Sequence, residues 1–178
     1  MDGKSPVERI GVFGSSSCKS KNVSLAFKVG RLIAENDFSL VTGGSTGISE
    51  ACAEGAVSEG GDVSCILPRR ELASSSDTIS AIPGVRTFHA LEGGYKTRNT
   101  QSVSYSDIAV FIEGGWGTLN ELTLAVDHGV PCCVFPNSGG ICSVVSEIVS
   151  SAGGNDPIHY VREASDLLSL IQKMSREE

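Results

Sequence analysis

Ile108-Ala109-Val110-Phe111-Ile112-Glu113-Gly114-Gly115-Trp116-Gly117-Thr118 is the stretch on which the fold turns. Five apolar residues without a polar interruption suit a strand buried on both faces, because a half-exposed strand would alternate. The glycines stop the strand, and Leu119, Leu122, Leu124, Ala125 and Val126 supply the apolar side of a helix. A doubly buried strand that runs through a glycine turn into a helix is the repeating unit of a parallel sheet.

The same alternation extends in both directions. Upstream, Arg9-Ile10-Gly11-Val12-Phe13 predicts a strand ending at Gly14-Ser15-Ser16-Ser17. Leu25, Val29, Leu32 and Ile33 then fall at helical spacing. Ser39-Leu40-Val41-Thr42 is the next strand, stopped by Gly43-Gly44, and an alanine-rich helix over 48–58 ends at Gly60-Gly61. Residues 62–67 predict a third strand and 85–89 a fourth, with a serine-rich loop carrying a short helix over 69–83. A polar helix is expected over 97–105. Downstream, strands over 130–135 and 158–161 flank a turn at 136–140 and a helix over 141–151, and a helix with Leu167, Leu168, Leu170 and Ile171 closes the chain. There is no linker composition and no repeat, so residues 1–178 read as one α/β domain: a doubly wound, Rossmann-like parallel sheet with helices on both faces.

Bulk composition narrows the function. A chain of 178 residues with 40% apolar residues can bury a full core. The net charge of -7, with no basic stripe, argues against nucleic acid as a partner, since phosphate-backbone binding needs clustered cations. The N-terminal residues are polar, without an apolar signal core, and nowhere do 18 apolar residues run together, so a cytoplasmic protein without a membrane span is expected. The six cysteines form no C-x-x-C pair and no zinc spacing, which predicts reduced, mostly buried thiols and no metal. His89, His128 and His159 stand apart from one another and read as structural or surface residues.

In doubly wound sheets, ligands bind beyond the carboxyl ends of the strands, where the strand order reverses. Three strand-to-helix junctions are rich in glycine or serine: 14–17, 43–47 and 114–118. Glycine lets the backbone approach a phosphate, and the helix start offers unpaired N–H groups with a positive dipole end. Gly14, Ser15, Ser16, Gly43, Gly44, Gly47, Gly114, Gly115, Trp116, Gly117 and Thr118 are therefore candidate ligand-binding residues. Trp116 either stacks on a base or packs within the protein. Glu121, expected in the first turn of the helix opened by Gly117-Thr118, and Arg98, on the preceding helix, are the candidate ionisable groups.

Familiar alternatives fail on their residues. The first loop lacks G-x-G-x-x-G, and Thr42-Gly43-Gly44 stands where an acidic residue would grip a ribose 2′-hydroxyl. No G-x-x-x-x-G-K-[ST] loop occurs. A pyridoxal-type decarboxylase needs a desolvated lysine. Of Lys4, Lys19, Lys21, Lys28, Lys96 and Lys173, only Lys96 lies near the expected cleft, in a polar segment. No cofactor is expected.

Glu113-Gly114-Gly115-Trp116-Gly117-Thr118-Leu119-Asn120-Glu121 resembles the PGGxGTxxE signature of the LONELY GUY family, the cytokinin-activating phosphoribohydrolases often labelled lysine decarboxylase-like. Gly43-Gly44 with Gly47 resembles its upstream glycine motif, Gly14-Ser15-Ser16 its first loop, and Arg98 the arginine of its RK pair. Glu113 replaces the signature proline and Asn99 the lysine after the arginine. Thr42-Gly43-Gly44 and Arg98-Asn99 resemble more closely a sister branch of the same Rossmann-like superfamily, which includes uncharacterised nucleotide-binding proteins and the molybdenum cofactor carrier protein.

The resemblance implies one of two functions. A phosphoribohydrolase would bind a nucleoside 5′-monophosphate, with its phosphate on residues 114–118 and its ribose over Glu121. It would release free base and ribose 5-phosphate, with Glu121 and Arg98 as catalytic residues. A carrier would hold a phosphorylated nucleotide or pterin without breaking a bond. Asn99 and the extra negative charge of Glu113 lean toward the carrier. A homodimer is also implied.

Overall fold

The computed structural model describes residues 8–68, 82–89, 94–152 and 158–174. Its strands are β1 (Arg9–Gly14), β2 (Ser39–Thr42), β3 (Val63–Leu67), β4 (Val85–His89), β5 (Ile108–Ile112), β6 (Cys132–Phe135) and β7 (Ile158–Tyr160). The helices among the described residues are α1 (Ser20–Glu35), α2 (Ile48–Ser58), α3 (Tyr95–Ser104), α4 (Trp116–Asp127), α5 (Val145–Ala152) and α6 (Ala164–Met174). The strands form one sheet in the order β4-β3-β2-β1-β5-β6-β7, and every pairing is parallel. The doubly wound α/β fold expected from the sequence is the fold observed.

Sheet growth reverses between β1 and β5, which pair from Ile10 with Ile108 through Gly14 with Ile112. Alternate residues of these central strands feed two cores. On one face, Ile10, Val12, Ile108, Val110 and Ile112 pack with buried residues of α1, α2 and α6. On the other, Phe13 and Phe111 pack with Val103 of α3, Leu122 and Ala125 of α4 and Val145 of α5. All five residues of β5 are buried, as its unbroken apolar run requires. Helices α1 and α2 approach with backbone in contact: a Cβ on Gly30 would strike the Cys52 carbonyl, and one on Gly55 the Phe27 carbonyl.

One segment differs from the sequence expectation. The helix expected over 141–151 begins only at Val145. The chain first makes two tight 3-10 turns, Pro136–Ser138 and Gly140–Ser143, because Gly139 and Gly140 take positive φ values of 90° and 57° that break a regular helix. The loop and short helix expected over 69–83 fall, for residues 69–81, outside the described residues. No described helix is long and apolar enough to cross a membrane.

Candidate functional site

The loops after β1, β2 and β5 converge at the carboxyl edge of the sheet around a cavity of about 520 Å³. Gly14, Ser15 and Ser16 form its wall on the β1 side, and Gly115, Gly117 and Thr118 on the β5 side. Arg98 and Glu121 line it from α3 and α4. Phe13, Ser45, Ser49 and Asn99 complete the described lining. Of these four, Ser45 and Asn99 were within reach of the sequence, one inside the 43–47 loop and the other beside Arg98. Phe13 and Ser49 sit on regular elements and carry no such signal.

Five expected site residues, Gly43, Gly44, Gly47, Gly114 and Trp116, are not part of the cavity lining. Gly43 is bare because the Arg98 guanidinium crosses it, so a Cβ would collide with Nη1. Gly44 (φ 75°) and Gly47 (φ 74°) take left-handed conformations that let the β2 loop turn into α2. A Cβ on Gly47 would also strike Ser15 and Ser16. The two loops are joined there: Ile48 N–H donates to the Ser15 carbonyl at 3.0 Å and the Thr46 hydroxyl to the Ser16 carbonyl at 2.8 Å. The α2 start is thus partly closed by the β1 loop, and the Ser15 hydroxyl is engaged with Ser17 of its own loop. Gly114 (φ 89°) has Thr118 against it. Trp116 is 87% exposed, which removes the reading of an internally packed ring.

The start of α4 is different. Gly115 occupies the N-cap position with no side-chain cap, and Leu119 N–H is the donor that reaches back to the Gly115 carbonyl at 2.9 Å. A Cβ added at Gly115 or Gly117 would meet nothing within 4 Å. Both therefore face open space at the cavity, where neither the protein's packing nor a positive φ demands glycine. An uncapped helix start with bare glycines is the geometry that receives an anion.

Arg98 and Glu121 form a buried ion pair, 3.4 Å from Nη1 to Oε1, with the residues 8% and 6% exposed. Glu121 lies in the second turn of α4, not the first, because the helix already begins at Trp116. This extra turn carries its carboxylate down between α3 and α4. Burial pushes its pKa up to about 7, against the opposing pull of Arg98. Beside the pair, Asn99 Nδ2 donates to Asn120 Oδ1 at 3.0 Å and ties the same two helices together.

Glu113 does not line the cavity. Its carboxylate turns toward α1 and accepts from Asn22 Nδ2 at 2.7 Å. Its charge is felt on that side, where the Cys18 thiol is pushed up first by burial and further by Glu113. The six cysteines are free and all but Cys18 are buried. His128 and His159 are exposed and outside the cavity. Among the described residues no group of three or more His, Cys, Asp or Glu is placed to hold a metal ion.

Comparison with known proteins bears on the family and the fold. The chain is 37% identical over 121 residues to an uncharacterized protein of Archaeoglobus fulgidus, covering 68% of this chain and 75% of that one. The molybdenum cofactor binding protein of Rippkaea orientalis superposes with a TM-score of 0.76 at 24% identity, over 94% of this chain and 97% of that one. The molybdenum cofactor carrier protein of Chlamydomonas reinhardtii superposes with a TM-score of 0.74 at 21% identity, over 94% and 98%. At these identities the two structures speak for the shared fold alone. The model of the SLOG cluster4 family matches residues 7–168. With nearly the whole chain matched, this protein belongs to the SLOG cluster4 family, a LOG-like branch of the Rossmann-fold proteins.

Proposed function

We propose that the chain binds a small phosphorylated, nucleotide-like ligand in the cavity between β1 and β5, and that it cleaves the N-glycosidic bond of a nucleoside 5′-monophosphate. The observation that carries the binding is the uncapped start of α4, where Gly115 and Gly117 leave open space at the cavity. A phosphoryl group fits there against backbone N–H groups and the positive end of the helix. Thr118 supplies a hydroxyl at the same wall, and Ser16 and Ser45 supply hydroxyls from the facing loops. With the phosphate so placed, the ribose extends toward Glu121.

Breaking a bond from C1′ to a base nitrogen builds oxocarbenium character. The Glu121 carboxylate, held by Arg98, stabilises that charge and accepts a proton from the attacking water. Water adds to C1′, the bonding pair leaves with the base, and the base takes up a proton. The products are free base and ribose 5-phosphate. A group raised to about 7 is suited to such proton traffic near neutrality.

A second reading, a carrier that holds a phosphorylated pterin or nucleotide without chemistry, is favoured by Asn99. A cavity with a neutral amide tied to Asn120 in place of a second cation has less to offer a departing base. Two proteins of the same fold are described as binding or carrying molybdenum cofactor. One experiment separates the readings. Incubation with AMP and related monophosphates, read by chromatography, yields free base if the first holds, and Glu121→Ala abolishes it. Binding across the panel without release leaves the carrier. Trp116, the chain's single tryptophan, sits at the α4 start and gives a fluorescence signal for binding.

A further inference from the structure

We propose that Glu113 is a positioning residue of the ligand site, clamped by Asn22 and Ser138 so that the α4 amides open toward the cavity. This rests on the reading that those amides receive a phosphoryl group. Glu113 has a φ of 59°, a left-handed conformation that the Cβ of an ordinary L-residue disfavours. Gly114 follows at 89°, so two consecutive left-handed residues swing the chain out of the sheet between β5 and α4. Something must hold the first of them, since it is not glycine.

The restraint comes from two neighbouring elements. The Glu113 N–H donates to Ser138 Oγ at 2.7 Å, and the Ser138 hydroxyl donates to the Phe135 carbonyl at 2.5 Å. Asn22 Nδ2 donates both to the Glu113 carboxylate, at 2.7 Å, and to the Ser138 carbonyl, at 2.8 Å. Asn22 and Ser138 are 2% and 4% exposed, so these are bonds in a water-poor setting where geometry is strictly kept. The next residue is fastened to the same turn, with Ile141 N–H donating to the Gly114 carbonyl at 2.9 Å. Gly140 has no room for a Cβ because that carbonyl fills the space. The start of α1, the turn after β6 and the exit from β5 are therefore one hydrogen-bonded unit behind the cavity, with Glu113 at its centre.

The consequence runs against what the resemblance would suggest. The signature residue here is proline, whose φ is fixed near -65° and which has no N–H. Proline can neither occupy this conformation nor donate to Ser138. This chain holds its loop with a carboxylate instead, and the carboxylate's charge is spent on Asn22, away from the bound anion.

The test uses Glu113→Pro, Asn22→Ala and Glu113→Gln in the full chain, with two readouts: hydrogen exchange of the bonded amides of Ile141 and Leu119, which fasten residues 114 and 115, and AMP affinity by calorimetry. Glu113→Pro and Asn22→Ala are expected to speed exchange at Ile141 and Leu119 and weaken AMP binding, each by about tenfold or more, the scale of one lost hydrogen bond. Exchange in β1 and β3 stays unchanged. Glu113→Gln keeps an acceptor for Asn22 and stays within about threefold of the parent on both. Unaltered exchange in Asn22→Ala, or damage from Glu113→Gln equal to that from Glu113→Pro, overturns the clamp. If the parent chain binds no AMP or other monophosphate, the phosphate reading falls, and the exchange measurements decide the clamp by themselves.

Discussion

Arg98 occupies the space that any side chain at residue 43 would need. A Cβ on Gly43 collides with Nη1 of Arg98, the same atom that lies 3.4 Å from the Glu121 carboxylate. Strand β2 is thus followed by glycine because an arginine from α3 must cross its carboxyl end to reach α4. The charged pair at the cavity is set in part by a residue outside its wall.

Gly43→Ala should accordingly behave like a mutation of Arg98 itself. The obstructing atom is the far end of a flexible side chain, so the arginine swings aside and the fold survives. AMP affinity should fall by about tenfold or more, as for Arg98→Ala. The decisive measurement is the double mutant: once Arg98 is gone, the alanine methyl has nothing to displace, so the two losses should not add. Additive losses would mean that Gly43 acts by some other route.

Glu121 makes stability depend on pH in a direction opposite to most carboxylates. Its pKa in the folded chain, about 7, lies above the ordinary value of 4.5. Between these values the folded state binds more protons than the unfolded one, so stability falls as pH rises from 4.5 to 7. A shift of this size corresponds to about 3 kcal/mol, fully retained only below pH 4.5 and lost above 7. Chemical denaturation of the parent and of Glu121→Gln across this range should show the slope in the first and a flatter profile in the second. Identical profiles would place the titration elsewhere. If the ionised carboxylate does the chemistry, base release should rise through pH 7 over the same interval.

Much of this was legible in the residues, and the illegible parts share a cause. The unbroken apolar run Ile108 to Ile112 can be accommodated only in a strand covered on both faces, so the parallel sheet followed from it. Arg98 and Glu121 could be named because both flank the same glycine loop, and they do meet. What residue types cannot reveal is the sign of a dihedral or the path of a side chain. Gly43 reads like its neighbours, but its role is to clear a path for Arg98. Glu113 looks like an unwelcome charge beside an anion site until its left-handed backbone turns it onto Asn22. The glycine pattern puts Glu121 one turn early, because α4 starts at Trp116 inside the glycine run and no pattern of hydrophobicity encodes that start.

Gly30 offers a contrast to Gly43, since its obstacle is backbone. A Cβ there meets the Cys52 carbonyl and Ala56 N of α2, and neither can rotate away. Gly30→Ala must separate α1 from α2, at a cost of about 2–3 kcal/mol even after the gain in helix propensity. For a chain of this size the melting temperature should drop by roughly 4–12 °C. AMP affinity per folded molecule should be nearly unaltered, because among the described lining residues α1 supplies none and α2 only Ser49. A melting temperature equal to that of the parent would show that the two helices have slack the structure does not suggest.

Gly114 and Gly117 stand three residues apart in one loop and should respond to the same substitution in opposite ways. Gly114 has φ 89° with Thr118 against it, so alanine there is strained by conformation and by contact and should destabilise the fold by about 2–3 kcal/mol. Gly117 lies inside the first turn of α4 with nothing within 4 Å of an added Cβ, and alanine is the better helix former there. Gly117→Ala should therefore melt at or slightly above the parent temperature, by up to about 1 kcal/mol in stability. The added methyl would nevertheless stand where a phosphoryl group must approach the amides, so AMP affinity should fall by about tenfold or more. A protein made more stable but unable to bind is the outcome expected of a glycine retained for a ligand. If Gly117→Ala binds as well as the parent, the anion does not sit on the α4 start, and the proposed cradle must be abandoned.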